Sequence, residues 1–216
     1  MGNSDPPKPI RRRFSSRWRA PLIVLAVIAV LVLGVYGLRR QARVAEYRAA
    51  RSRMASQIAD IKAGETDTLT AIDPRFIDNL FEDPECVAKV RKLDLIWGDV
   101  SDERFGRLKG LPNVQEITFY DISGADVFLK RIRGMPSVES MSFSGMGLGE
   151  EGVRHLGSFP NLKSLSFGQT HLTDAELLQL GNLAQLERLH IGNTTQVSDE
   201  GIEKLRQALS NCKIEH

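Results

Sequence analysis

Val90, Val114, Val138, Leu162 and Leu186 follow one another at intervals of 24 residues. The same interval links Leu93, Ile117, Met141, Leu165 and Leu189, and again Leu95, Phe119, Phe143, Phe167 and Ile191. Five copies of apolar-x-x-apolar-x-apolar in constant register leave few folds open, because a fixed period of this length marks stacked structural units. A second apolar set at helical spacing completes each copy: Phe105-Leu108-Leu111, Leu129-Ile132-Met135, Val153-Leu156-Phe159, Leu177-Leu180-Leu183, and Ile202-Leu205-Leu209 after a one-residue insertion near Gln196. A period-two segment, a period-3.6 segment and a turn such as Leu111-Pro112-Asn113 or Phe159-Pro160-Asn161 form one strand-turn-helix unit. No unit buries its apolar side alone, so five stacked units predict one continuous core with a parallel sheet along it. Phe119, Phe143 and Phe167 then lie above one another inside that core.

These residues resemble leucine-rich repeats over positions 87–216. Val100-Ser101-Asp102, Leu172-Thr173-Asp174 and Val197-Ser198-Asp199, each ahead of an apolar helix, are similar to the cysteine-containing subclass found in F-box substrate receptors and in membrane-anchored bacterial relatives. The resemblance implies a solenoid that binds other macromolecules and performs no chemistry. The chain departs from the pattern after each strand, where Gly98, Ile122, Met146, Thr170 and Thr194 replace the usual Asn or Cys. Physically, each Ser/Thr-Asp pair is an N-cap, its oxygens accepting from free N–H groups at the positive helix end. Asp102, Asp174 and Asp199 are therefore read as caps.

Ahead of the repeats, residues 1–40 carry eight basic side chains against Asp5 alone, for a net +7, although the whole chain sums to only +2. The remaining body is thus acidic, which argues against a nucleic-acid-binding solenoid. With 42% hydrophobic and 26% charged residues the composition also excludes collagen, a disordered tail and a disulfide-dense scaffold. Between Ala20 and Leu38 the chain has no charge, and nineteen helical residues cover ~28 Å, near the thickness of a bilayer core. The expectation is a transmembrane helix over 20–38, with Trp18 and Tyr36 near the headgroup layers and arginines beyond both ends. A cleaved signal peptide is the rival, but the apolar run is long for one and Arg43 stands where a site ending at Ala45 wants a small residue. Pro6 opposes N-myristoylation. Lys/Arg counts on the two sides tie, and three consecutive arginines in the short tail tip the expected orientation towards extracytoplasmic repeats.

Helix-forming residues over 39–63 predict a stalk in which Val44, Tyr47, Met54, Ile58 and Ile61 fall at a and d of a heptad, interrupted by Arg51. That pattern reads as an amphipathic stalk, with homodimerisation through 44–61 left open. Residues 64–72 read as a polar hinge, 73–89 as an N-terminal cap opened by the N-cap Asp73 and Pro74, 90–211 as the repeats and 212–216 as a closing strand stub.

Side chains alternating with the buried ones should stand on the open sheet face. They are Lys92, Asp94 and Ile96; Glu116, Thr118 and Tyr120; Ser140, Ser142 and Ser144; Ser164, Ser166 and Gly168; Arg188, His190 and Gly192. Charge and bulk lie early and the middle is small and flat. Trp97 and Tyr120 beside Asp121 resemble a protein-binding hot spot. Candidate partner-binding residues are therefore Lys92, Asp94, Trp97, Tyr120, Asp121, Arg188 and His190, and the candidate anchor residues are Trp18, Ala20, Tyr36 and Leu38. Both aromatic side chains folding back over the cap is the competing arrangement.

Ser142, Ser166 and His190 share one strand position, but the sequence offers no nucleophile elbow and no evident carboxylate for His190, so no enzyme is expected. Cys86 and Cys212 flank the repeats, about five strand spacings apart, too far for a disulfide. Neither a metal cluster nor a nucleotide motif is evident, so no cofactor is expected. The expected function is a membrane-anchored module presenting the repeats to a protein partner. Two alternatives stand beside it: an envelope spacer dimerising through the stalk and, resting only on the repeat subclass, an adaptor in ubiquitin-type targeting.

Overall fold

Along Ser140–Ser144, Ser164–Gly168 and Arg188–Gly192 every second side chain is buried and those between are not. That alternation is what one covered face of a pleated sheet requires. In the computed structural model these segments belong to a seven-stranded sheet in which each strand hydrogen-bonds to the next in sequence, all parallel: β1 Thr68–Thr70, β2 Lys92–Asp99, β3 Glu116–Ser123, β4 Ser140–Ser144, β5 Ser164–Gly168, β6 Arg188–Gly192 and β7 Lys213–Glu215. The structure describes residues 19–70, 72–193 and 196–216; the side chains of 19–34, 36, 37 and 97 lie outside that description, as do Trp18 and Thr194 entirely. The chain divides into two compact units, Met1–Ala49 and Ala50–His216.

Strand register follows the 24-residue interval. Leu93 pairs with Ile117, Ile117 with Met141, Met141 with Leu165 and Leu165 with Leu189. The last step is one residue longer, Leu189 pairing with Ile214, as the insertion near Gln196 requires. Helices α4 Ala125–Ile132, α5 Glu150–Leu156, α6 Asp174–Leu180 and α7 Asp199–Ala208 follow β3 to β6 in turn. Their buried residues, among them Leu129, Val153, Leu177 and Ile202, share one core with the buried sheet residues. Inside it Phe119, Phe143 and Phe167 stack, with centroids 4.7 and 5.3 Å apart and rings within 4° and 12° of parallel.

A left-handed residue follows each of β4, β5 and β6, namely Gly145, Gln169 and Asn193, and Asp121, at the equivalent position within β3, is left-handed too. Asn113 and Asn161 tie their turns back to the preceding unit by donating to the carbonyls of Ala88 at 2.8 Å and Pro136 at 2.7 Å. The capping expectation holds in part. Asp102 accepts from the Arg104 N–H at 3.0 Å and Ser198 from the Gly201 N–H at 3.0 Å. Asp174 instead reaches the next unit, accepting from the Ser198 N–H at 2.8 Å and its hydroxyl at 2.6 Å. Where a helix was expected from Phe105 to Leu111, Glu103–Gly110 is a 3₁₀ segment. Gly106 and Gly110 lower its α-helical propensity.

Two expectations for the N-terminal part are corrected. The supposed hinge over 64–72 contains β1, whose Leu69 is fully buried and pairs with Leu93, one more 24-residue step. More consequentially, no helix among the described residues is long and apolar enough to cross a membrane. Residues 20–38 are the first part of one continuous helix, α1 Arg19–Ala63, with no break at the expected stalk boundary. The transmembrane helix, the lipid partner for residues 20–38, the anchor roles of Trp18, Ala20, Tyr36 and Leu38, and the single-pass membrane location with extracytoplasmic repeats are withdrawn on that finding. Trp18 and the side chains of Ala20 and Tyr36 lie outside the described residues.

Within the second unit the end of α1 is part of the core. Met54 and Ile61 are buried and Ile58 packs against them. Two short helices, α2 Ile77–Phe81 and α3 Pro84–Lys89, close the region ahead of β2, with Asp83 capping α3 by accepting from the Cys86 N–H at 3.1 Å. Lys62 of α1 pairs with Asp83 at 2.8 Å.

Candidate functional site

Because the strands are in register, the open sheet face is a grid. One row runs Lys92, Glu116, Ser140, Ser164, Arg188, Lys213; the next runs Asp94, Thr118, Ser142, Ser166, His190, Glu215. A third runs Ile96, Tyr120, Ser144, Gly168, Gly192. Bulk therefore falls along the third row from Tyr120, 44% exposed, to bare backbone.

The structure brings Lys92, Asp94 and Tyr120 together on β2 and β3, and Arg188 and His190 together on β6, with β4 and β5 between the two groups. Lys92 pairs with Glu116 at 3.2 Å, and that bond raises its pKa. Asp94 is partly buried; burial raises its pKa against the opposing hydrogen bond from Thr118, and the Glu116 charge adds to the rise. Thr118, expected on the open face, is buried. Asp121 is exposed, and its carboxylate lies over Gly145, where an added Cβ would stand 2.0 Å from Oδ1. The side chain of Trp97 lies outside the described residues, so the expected aromatic pair is represented by Tyr120. Along the chain Trp97 stands between Ile96 and Gly98, which pair with Tyr120 and Ile122, so it is in register with Asp121.

Glu215 is the carboxylate the sequence left unplaced. It lies beside His190 with Oε2 4.0 Å from Nδ1, completing a row Ser166, His190, Glu215. Among the described residues no hydrogen bond joins Ser166 to His190. Glu215 is bonded to Lys213 at 2.5 Å, which lowers its pKa, and the His190 Nε2 leans over Gly192, 2.8 Å from where a Cβ would be. A general base must instead hydrogen-bond its nucleophile.

A second feature was not evident in the sequence. At the carboxyl end of β2 a cleft of about 450 Å³ has a floor of Ile72, Leu95, Val100, Phe105 and Ile122 and carries Arg53, Arg75 and Arg104 on its walls. Asp73 accepts from the Arg75 N–H at 3.0 Å and its guanidinium at 2.6 Å, which pulls its pKa down. Asp102 accepts from Arg104 in the same way, side chain at 2.7 Å and backbone at 3.0 Å, and its pKa falls to about 2. Three arginines far apart in the chain give no local motif, so only the tertiary path reveals them.

Cys86 is buried, Cys212 is partly buried and both are free thiols; burial raises the pKa of each. Among the described residues no group of His, Cys, Asp or Glu is arranged to hold a metal ion.

The chain matches no protein-family model and no curated protein. Nothing beyond its own residues therefore identifies a leucine-rich repeat or places it in the F-box-receptor-like subclass.

Proposed function

We propose that the chain is a protein-binding module whose open sheet face receives a partner, with Tyr120 as the central contact. The observation that carries this reading is the third row, in which an exposed aromatic ring borders a platform of Ser144 and Gly168. An aromatic side chain buries a large area at low conformational cost, and a flat, small-residue surface beside it admits a partner backbone closely. Lys92 and Asp94 on one side and Arg188 and His190 on the other supply polar contacts that set orientation more than affinity. A spacer that dimerises through α1 has less support, since Met54, Ile58 and Ile61 are used by the chain's own core.

Site-specific photocrosslinking tests the proposal. A benzophenone residue at Tyr120 should capture a discrete partner, whereas the same residue at Leu178, 45% exposed on α6, should not. Equal capture from both positions, or capture from Leu178 alone, would remove the sheet face from consideration.

A further inference from the structure

We propose that the cleft at the carboxyl end of β2 binds an extended acidic segment of a protein partner, which adds as a strand to the edge of β2 and places a carboxylate among Arg53, Arg75 and Arg104. The proposal goes beyond the sheet-face reading and concerns a separate site.

Strand length supplies the first argument. Among the described residues β1 pairs only with Lys92–Asp94, whereas β2 continues to Asp99. Among the described residues no strand pairs with β2 past Asp94 on the side of β1, while β3 pairs with it on the other side, and the chain next forms the 3₁₀ segment Pro74–Phe76. A strand edge of this kind carries a row of backbone donors and acceptors that an extended peptide can match. The cleft lies along this edge, lined by Leu95, Ile96, Gly98 and Asp99.

Charge supplies the second. Arg53 comes from α1, Arg75 from the 3₁₀ segment Pro74–Phe76 and Arg104 from the 3₁₀ segment Glu103–Gly110, so three separate elements deliver guanidinium groups to one cleft. The carboxylates of Asp73 and Asp102 already serve Arg75 and Arg104, and that of Asp99 accepts from the Ser101 N–H at 2.8 Å. Arg53 is exposed and makes no hydrogen bond or ion pair among the described residues. A carboxylate from a ligand is the group that complements it, since guanidinium binds carboxylate through two parallel hydrogen bonds.

The apolar floor supplies the third. In an extended segment successive side chains point to opposite sides, so an acidic residue facing the arginines alternates with an apolar one facing Ile72, Leu95 and Phe105. The ligand class is thus an alternating acidic and apolar peptide.

Fluorescence anisotropy with the full chain and a labelled Val-Glu-Val-Glu-Val-Glu peptide tests this, with Val-Lys-Val-Lys-Val-Lys as control. The acidic peptide should bind and the basic one should not. Arg53→Ala should weaken binding about tenfold or more, the scale of one lost charge-assisted hydrogen bond, and Arg53→Lys should restore part of it. A version N-methylated on the backbone should lose binding. Equal binding of both peptides, an unchanged affinity in Arg53→Ala, or undiminished binding of the N-methylated peptide would overturn the proposal. Displacement by a hexathymidine strand at equal concentration would also overturn it, pointing to phosphate recognition. The two readings fail separately. Arg53-dependent peptide binding without crosslinking from Tyr120 sustains the cleft and removes the sheet face; crosslinking from Tyr120 with no peptide binding does the reverse.

Discussion

The side-chain amide of Gln57 hydrogen-bonds both backbone groups of Thr70, Nε2 donating to the carbonyl oxygen at 2.8 Å and Oε1 accepting from the N–H at 2.8 Å. A primary amide carries the same donor and acceptor as a peptide group, so one glutamine on α1 stands in for a further strand beside β1. That protects an edge that would otherwise offer its backbone to another chain. Gln57→Ala should cost about 1–3 kcal/mol, because the two backbone groups lose their partner in a half-buried site. Urea unfolding measures the loss, and faster hydrogen exchange at the Thr70 amide would localise it.

Phe143 lies between Phe119 and Phe167 in a stack whose three rings are fully buried. Phe143→Ala removes the middle ring and should cost about 3–5 kcal/mol. Phe143→Leu should cost less, since most of the volume is kept. A chain whose melting temperature is unmoved by Phe143→Ala would contradict the packing.

Gly145 has φ +70, and an added Cβ would stand 2.0 Å from Asp121 Oδ1. Gly145→Ala should therefore destabilise the chain by about 1–3 kcal/mol through the left-handed backbone and the crowding together. Asp121→Gly in the same background relieves only the crowding. Equilibrium unfolding of the two single variants and the double should thus show positive coupling, and strict additivity would count against the contact.

Two aspartates predict opposite responses to pH. Arg104 holds the Asp102 pKa at about 2, below its unfolded value, so the stabilisation is present above about pH 4 and is lost as pH falls towards 2. Because the pair is exposed, the contribution stays below about 1 kcal/mol. Asp102→Asn, which keeps a capping oxygen, should flatten the acid limb of a melting-temperature profile.

Burial raises the Asp94 pKa, so its contribution has the other sign. The folded chain is favoured while Asp94 is protonated, below its unfolded pKa near 4, and that advantage is lost as pH rises through the folded value. Asp94→Asn should melt higher than the parent at neutral pH and converge with it in acid. A difference independent of pH would refute the assignment.

Much of the fold was legible because it is periodic. The pairing of Leu93 with Ile117 and of Phe119 with Phe143 follows from identical spacing, since a sheet with one covered face returns the same residue class to the same place in every unit. Position 69 shows where that reading stopped: Leu69 keeps the interval, but Thr66 stands where later units carry Val90 or Val114, and one residue does not make a pattern. Ala20–Leu38 shows the opposite error: its uncharged length predicted a membrane span, but no helix among the described residues is long and apolar enough to cross a membrane, and the run belongs to one helix that continues to Ala63.

The candidate sites divide in the same way. The rows holding Lys92, Asp94, Tyr120, Arg188 and His190 follow from strand alternation, which local sequence encodes at every second residue. Glu215 beside His190, Gln57 against Thr70, and Arg53, Arg75 and Arg104 around one cleft come from segments with no shared period. The amino-acid sequence by itself determined the 24-residue register and the residues that fill the core, because burial in a repeating sheet imposes its period on the chain. Only the tertiary structure decided which charged and polar groups meet, since their approach depends on where α1 and the cap pack against β1 and β2, and no local spacing records that path.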